Sequence, residues 1–113
     1  MIRVCVCGGR NYNDKLLLYK TLDKFLNVRN DFIIINGDAA GADRLSTEWA
    51  KERNIKYELF PADWKTYKKA AGPIRNKQMI DSHIDLLIAF PGGNGTKNMI
   101  EQCKKRNIRI LLL

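Results

Sequence analysis

Pro91 to Thr96 reads Pro-Gly-Gly-Asn-Gly-Thr, three glycines and a hydroxyl within six residues. Glycine takes backbone conformations that side chains forbid, and it lets a ligand approach the main chain closely. Asp85 to Phe90, just before, reads as a buried strand. From Thr96 onward Met99, Ile100 and Cys103 recur at helical spacing, while Lys97, Gln102 and Lys104 face away. The order is strand, glycine loop, helix. The start of such a helix carries unpaired N–H groups and the positive end of the dipole, which suits a phosphate or another anion. Pro91, Gly92, Gly93, Asn94, Gly95, Thr96 and, one turn on, Asn98 are therefore candidate ligand contacts. The run is not a Walker A loop, because its spacing is too short and Lys97 follows the Thr. The alternative is a tight turn with no ligand.

Other residues of the right type also follow apolar runs. Gly8-Gly9-Arg10 closes one run, and a loop holding Gly37, Asp38, Gly41, Ala42 and Asp43 closes another. Two glycine turns that lead into helices offer two anion cradles, which fits a ligand with several phosphates or a phosphate and a ribose. Asp38 and Asp43 are placed to accept ribose hydroxyls; Asp43 is equally suited to the first turn of a helix. Arg10 and Arg75 can pair with phosphate bidentately, or form surface ion pairs instead. Trp64 can stack on a base or serve the core. Trp49, at helical spacing from Leu45, belongs to the core. Asp38, Asp43, Asp63 and Arg75 are the candidate catalytic groups if there is turnover. His83 stands alone and reads as a helix-end residue. No metal-ligand spacing appears, and neither a metal nor a cofactor is expected.

The chain has 113 residues, which fits one domain over 1–113 with one hydrophobic core. No apolar run approaches membrane-spanning length, and the N-terminal apolar segment is too short for a signal peptide. Cys5, Cys7 and Cys103 read as reduced, buried thiols, so a cytoplasmic location is expected. The net charge of +8 is spread over predicted helix faces, with Lys104-Lys105-Arg106 as the tight run. Such a surface attracts polyanions. No basic stripe interleaved with aromatics is read, so nucleic acid is not the expected partner, and neither is a membrane. A homo-oligomer, dimer or higher, is expected.

These residues need strands to end beside one another. Strands are predicted at Arg3–Cys7, Phe32–Asn36, Lys56–Phe60, Asp85–Phe90 and Arg109–Leu113. Between them lie a helix capped by Asp14, one carrying Leu45 and Trp49, a polar stretch to Ala71, a helix opened by Gly72-Pro73 that carries Arg75, Asn76 and Met79, and the helix after Thr96. This alternation implies an α/β fold: a Rossmann-like three-layer sandwich on a five-stranded parallel sheet, order 3-2-1-4-5. Ligands of such sheets bind beyond the carboxyl ends of the strands, where the winding reverses.

Taken together, Gly8-Gly9-Arg10 with Tyr12, the Gly37 to Asp43 loop, Phe60-Pro61-Ala62-Asp63-Trp64, Ala71-Gly72-Pro73-Ile74-Arg75-Asn76 with Met79, and Ala89 to Thr96 resemble the YspA/YpsA-related group of the SLOG superfamily. The glycine loop is also similar to that of the LOG phosphoribohydrolases, once labelled lysine decarboxylases, and more distantly to DprA. The resemblance implies a fold that binds nucleotides or nucleotide-derived ligands, in small members found in bacteria and phages. Arg75 and Met79 match an Arg and a Met of the LOG enzymes. Their catalytic carboxylate follows the Thr of the loop, where this chain has Asn98 and Met99; the nearest acid is Glu101. Asn98 can hydrogen-bond a ribose but cannot serve as acid or base. The resulting expectation is capture of an ADP-ribose-, NAD- or other adenine-nucleotide-type molecule, by a sensor, carrier or sequestering protein. N-glycosidic hydrolysis is the alternative, and single-stranded nucleic-acid binding a second one.

Overall fold

The computed structural model describes residues 1–113. The elements run β1 (Ile2–Cys7), α1 (Lys15–Val28), β2 (Phe32–Asn36), α2 (Ala42–Glu52), β3 (Tyr57–Leu59), α3 (Trp64–Tyr67), α4 (Ala71–Asp81), β4 (Leu86–Ala89), α5 (Asn94–Lys105) and β5 (Arg109–Leu112), with a 3-10 turn at Lys68–Ala70. The sheet order is β3-β2-β1-β4-β5 and every pairing is parallel. Val4 sits in register with Ile34 on one side and Leu86 on the other. This is the α/β sandwich and strand order that the alternation implies.

The period-2 alternation of β1 explains how the layers are held. Val4 and Val6 pack with Leu18, Leu22 and Trp49 under α1 and α2. Cys5 and Cys7 face the other way, with Met79, Met99 and Cys103 under α4 and α5. A strand buried on both faces needs apolar residues at every position, which β1 has from Val4 to Cys7, the part that is buried. All three cysteines are free and buried. Asp14 caps α1 by accepting the Leu17 N–H at 3.1 Å. No helix is long and apolar enough to cross a membrane.

Strand ends shift by at most one residue from the pattern-based reading, and two helix starts differ from it. α5 begins at Asn94, so Asn94, Gly95 and Thr96 form its first turn and Gly93 is its cap. α4 begins at Ala71, which places Gly72 and Pro73 inside its first turn. Pro lacks an N–H, and first-turn N–H groups have no intrahelical partner, so the helix runs through it at little cost.

Candidate functional site

Because all five strands are parallel, the loops after β1, β2, β3 and β4 meet at one edge of the sheet. A cavity of about 860 Å3 opens there, beside the ends of β1 and β4. Its lining takes in Gly8, Gly9, Arg10, Asp43, Trp64, Arg75, Asn76, Met79, the whole run from Pro91 to Thr96, and Asn98. Gly37, Asp38, Gly41, Ala42 and Asp63 are not part of that lining.

The glycines divide into two kinds. Gly41 has φ +83°, and a Cβ on it would strike the Gly9 and Arg10 carbonyls. A Cβ on Gly8 would meet that of Ala42 at 2.5 Å, and the Ala42 N–H donates to the Gly9 carbonyl at 3.3 Å. Gly92 is wedged between Thr96 Oγ1 and the Gly9 amide, and the Gly9 N–H donates to the Pro91 carbonyl at 2.9 Å. Gly8, Gly41, Ala42 and Gly92 thus lock three loops together. A Cβ on Gly93 or Gly95 would meet nothing within 4 Å. No side chain caps α5.

Asp43 is 6% exposed. Its Oδ2 accepts the Gly37 and Ala39 N–H groups, both at 3.2 Å, so it organises the loop ahead of α2. Burial pushes its pKa up from 3.8 to about 6, against the lowering pull of those N–H groups and of Arg75. Asn36, fully buried, ties the same loop to α2. Its amide donates to the Asp43 carbonyl, Ser46 Oγ and Thr47 Oγ1, and its Oδ1 accepts the Asp38 N–H.

Arg75 reaches from α4 to the ends of β2 and β3. Its Nη1 donates to the Gly37 carbonyl at 2.7 Å and its Nε to Asn76 Oδ1 at 3.1 Å. The guanidinium lies so close over Gly37 that a Cβ there would collide with it, which accounts for that glycine. Asn76 Nδ2 donates to Asn98 Oδ1 at 3.1 Å, and Gln102 Nε2 donates to the same oxygen at 2.7 Å. Asn98 is therefore a link between α4 and α5 as well as a wall of the cavity. At the mouth, the Arg10 guanidinium sits 5.1 Å from the Trp64 ring centroid, and Trp64 is 45% exposed.

Two expected carboxylates point elsewhere. Asp38 takes φ +55° and lies 3.8 Å from the Arg44 guanidinium. Asp63 accepts the Thr66 N–H at 3.1 Å and caps α3. Both follow strands and resemble ligand-facing acids in sequence, but the left-handed turn and the cap turn them away. His83 closes α4, with Nε2 2.7 Å from Asp85 Oδ1. No group of three or more His, Cys, Asp or Glu side chains could hold a metal ion.

Several lining residues gave no signal as ligand contacts: Asn11, Tyr12, Asn13, Asp14 and Lys69. The Tyr12 oxygen is buried with no hydrogen-bond partner, and its ring centroid stands 5.2 Å from that of Phe90. A buried hydroxyl left unpaired costs about 1–3 kcal/mol. The usable signal was position alone, since Asn11 to Asp14 extend the Gly8-Gly9-Arg10 turn.

Residues 2–67 match the sequence profile of the YspA, cpYpsA-related SLOG family. Gene 61 protein of Mycobacterium phage D29 is 30% identical over 119 residues, covering 98% of this chain and 95% of that protein. Among solved structures, the C-terminal domain of a Pyrococcus furiosus hydrogenase superposes with a TM-score of 0.58 at 15% identity, covering 99% of this chain and 91% of that one. DNA processing protein A (DprA) of Streptococcus pneumoniae gives a TM-score of 0.53 at 15% identity, covering 98% of this chain and 58% of that one. These two likenesses are of fold.

Proposed function

We propose that this chain, which belongs to the YspA, cpYpsA-related SLOG family, binds a nucleotide-derived small molecule of ADP-ribose or related adenine-nucleotide type in the cavity at the carboxyl edge of its sheet. One observation carries the reading. Gly93 and Gly95 border the cavity, open space lies where their Cβ atoms would be, and the helix they begin has no side-chain cap. Fold packing explains Gly8, Gly37, Gly41 and Gly92 but not these two. A phosphate seated on the first turn of α5 explains both, because it needs bare N–H groups and no side chain. Arg10, Lys69 and the free edge of Arg75 supply charge for a second phosphate. Trp64 offers a ring to a base, and Asn98 offers polar contacts to a sugar.

Hydrolysis is the second reading, and one observation favours it. Asp43 is a buried carboxylate on the cavity wall whose pKa, about 6, suits proton transfer near neutral pH. Against it, one Asp43 oxygen already holds two backbone N–H groups, and Asn98 replaces the acid of the LOG enzymes. Binding without turnover is the reading these features support better. The proposal extends to a homo-oligomer, because β5 is an edge strand that exposes Leu111 and Leu112.

A single experiment tests both readings. Gly95→Ala adds a methyl to the cradle at a helical position where Ala is favoured over Gly by about 1 kcal/mol. The variant should keep or gain thermal stability and lose at least tenfold in affinity for ADP-ribose by calorimetry. Unchanged affinity would remove α5 from the site. Ligand recovered after incubation with excess wild-type protein should be intact; multiple turnovers abolished by Asp43→Asn would establish the hydrolase.

A further inference from the structure

The segment after β3 is built unlike the rest of the chain. Every residue from Asp63 to Ala70 is exposed, and neither α3 nor the 3-10 turn buries a side chain. Its sequence is Trp64-Lys65-Thr66-Tyr67-Lys68-Lys69. Trp64 is 45% and Tyr67 43% exposed, and three residues apart on one helical turn they share a face. No carboxylate lies within salt-bridge distance of Lys65, Lys68, Lys69 or the neighbouring Arg10; other unpaired cations, such as Lys20 and Lys104, stand on helix faces without exposed Trp or Tyr beside them in the same run. The acid of the segment, Asp63, is spent on capping α3. Two exposed aromatic rings and three uncompensated lysines therefore fall within six residues, next to Arg10, which stacks on Trp64 at the cavity, and the core explains none of them.

We infer that this face binds single-stranded nucleic acid. Phosphates meet Lys65, Lys68, Lys69 and Arg10, and bases stack on Trp64 and Tyr67, the pairing of charge and aromatic faces that unpaired strands use. An anionic membrane fits less well. Residues 61–70 contain no Leu, Ile, Val, Phe or Met to enter the acyl region. Lys65, Tyr67 and Lys68 do not line the cavity, so this surface can be tested apart from the small-molecule reading.

The experiment is fluorescence anisotropy with a fluorescein-labelled oligothymidylate of about 20 nucleotides, on the full chain. About three or four phosphate contacts predict a log–log salt slope near −2 to −3. The double variant Lys65→Ala with Lys68→Ala should flatten that slope by about 1.4 and weaken low-salt binding at least tenfold. Tyr67→Ala should weaken it about tenfold for the single strand and leave binding of a duplex of equal length unchanged. All three side chains are exposed, so melting temperatures should match the wild type, and so should the affinity measured with ADP-ribose. No anisotropy change at about 50 mM salt, wild-type binding by the variants, or stronger co-sedimentation with phosphatidylserine vesicles than capture of the oligonucleotide would overturn the inference. Failure of ADP-ribose to bind would leave it standing and count against the cavity reading alone.

Discussion

Asp43 is the residue whose protonation should favour both stability and the proposed anion binding. Its folded pKa lies above the ordinary carboxylate value, at about 6 against 3.8. Between those values the folded protein holds more protons than the unfolded one, so stability falls as pH rises through the window and the loss is complete above it. The cost of keeping Asp43 charged at neutral pH is about 3 kcal/mol at most. Asp43→Asn can still accept both loop N–H groups on one oxygen, as Oδ2 now does. Urea unfolding should find it more stable than wild type by about 1–3 kcal/mol at pH 7.5, with the gain vanishing near pH 4. An anion bound beside Asp43 favours its protonated form. The wild-type affinity for ADP-ribose should therefore rise from pH 8 to pH 6, and the variant's should stay flat. Parallel profiles for the two proteins would show that Asp43 is not coupled to the site. The sequence offers Asp38, Asp43 and Asp63 alike as candidate catalytic acids after strands, and Asp43 equally as a first-turn helix residue. What separates them is a left-handed turn at Asp38 and a cap at Asp63, and neither has a signature in residue type alone.

At the scale of elements, the loops do two jobs that a run of glycines conceals. Strand-to-loop junctions were legible because Gly8-Gly9, Gly37, and Pro91 with its glycines punctuate apolar runs of strand length. Which glycine serves packing and which serves a ligand was not legible, because that depends on what lies opposite the missing Cβ. The start of α5 was also misplaced by pattern. Gly95 is a poor helix former, and only the first turn built on Gly93 shows that the loop is itself the helix N-terminus. The two jobs separate by mutation. Gly41→Ala puts a Cβ against the Gly9 and Arg10 carbonyls at φ +83°, which combines backbone strain with overpacking. It should cost about 2–4 kcal/mol, visible as a lowered melting temperature. Gly95→Ala should spare the fold and affect binding. If Gly41→Ala melts like the wild type, the lock between the first two loops is looser than its geometry implies.

The whole molecule sets charge against exposed apolar surface. Strand–helix alternation made the order 3-2-1-4-5 readable, since right-handed crossovers leave few arrangements. The fate of the two edges was not readable, because edge exposure follows from which helices cover which strands. β3 is a protected edge: three residues long, with Glu58 paired to Arg3 at 3.0 Å. β5 is not. It carries one charge, Arg109, and exposes Leu111 by 44% and Leu112 by 60%, with no Lys or Pro to block pairing. A net charge of +8 on each copy opposes self-association, but β5 joins exposed leucines to an open strand edge, so pairing there gains both apolar burial and backbone hydrogen bonds. The expected result is a two-fold dimer joined through β5, detected by light scattering coupled to size exclusion. Raising salt from about 50 to about 500 mM should strengthen it by screening the like charges. That response is opposite in sign to the oligonucleotide binding expected of the Trp64 to Lys69 face, so the two associations can be told apart in one titration. Leu112→Lys places a charge on the edge without touching the core, and should leave a folded monomer. A wild-type chain that stays monomeric at about 100 μM, or a Leu112→Lys variant that still dimerises, would place the contact elsewhere or remove it.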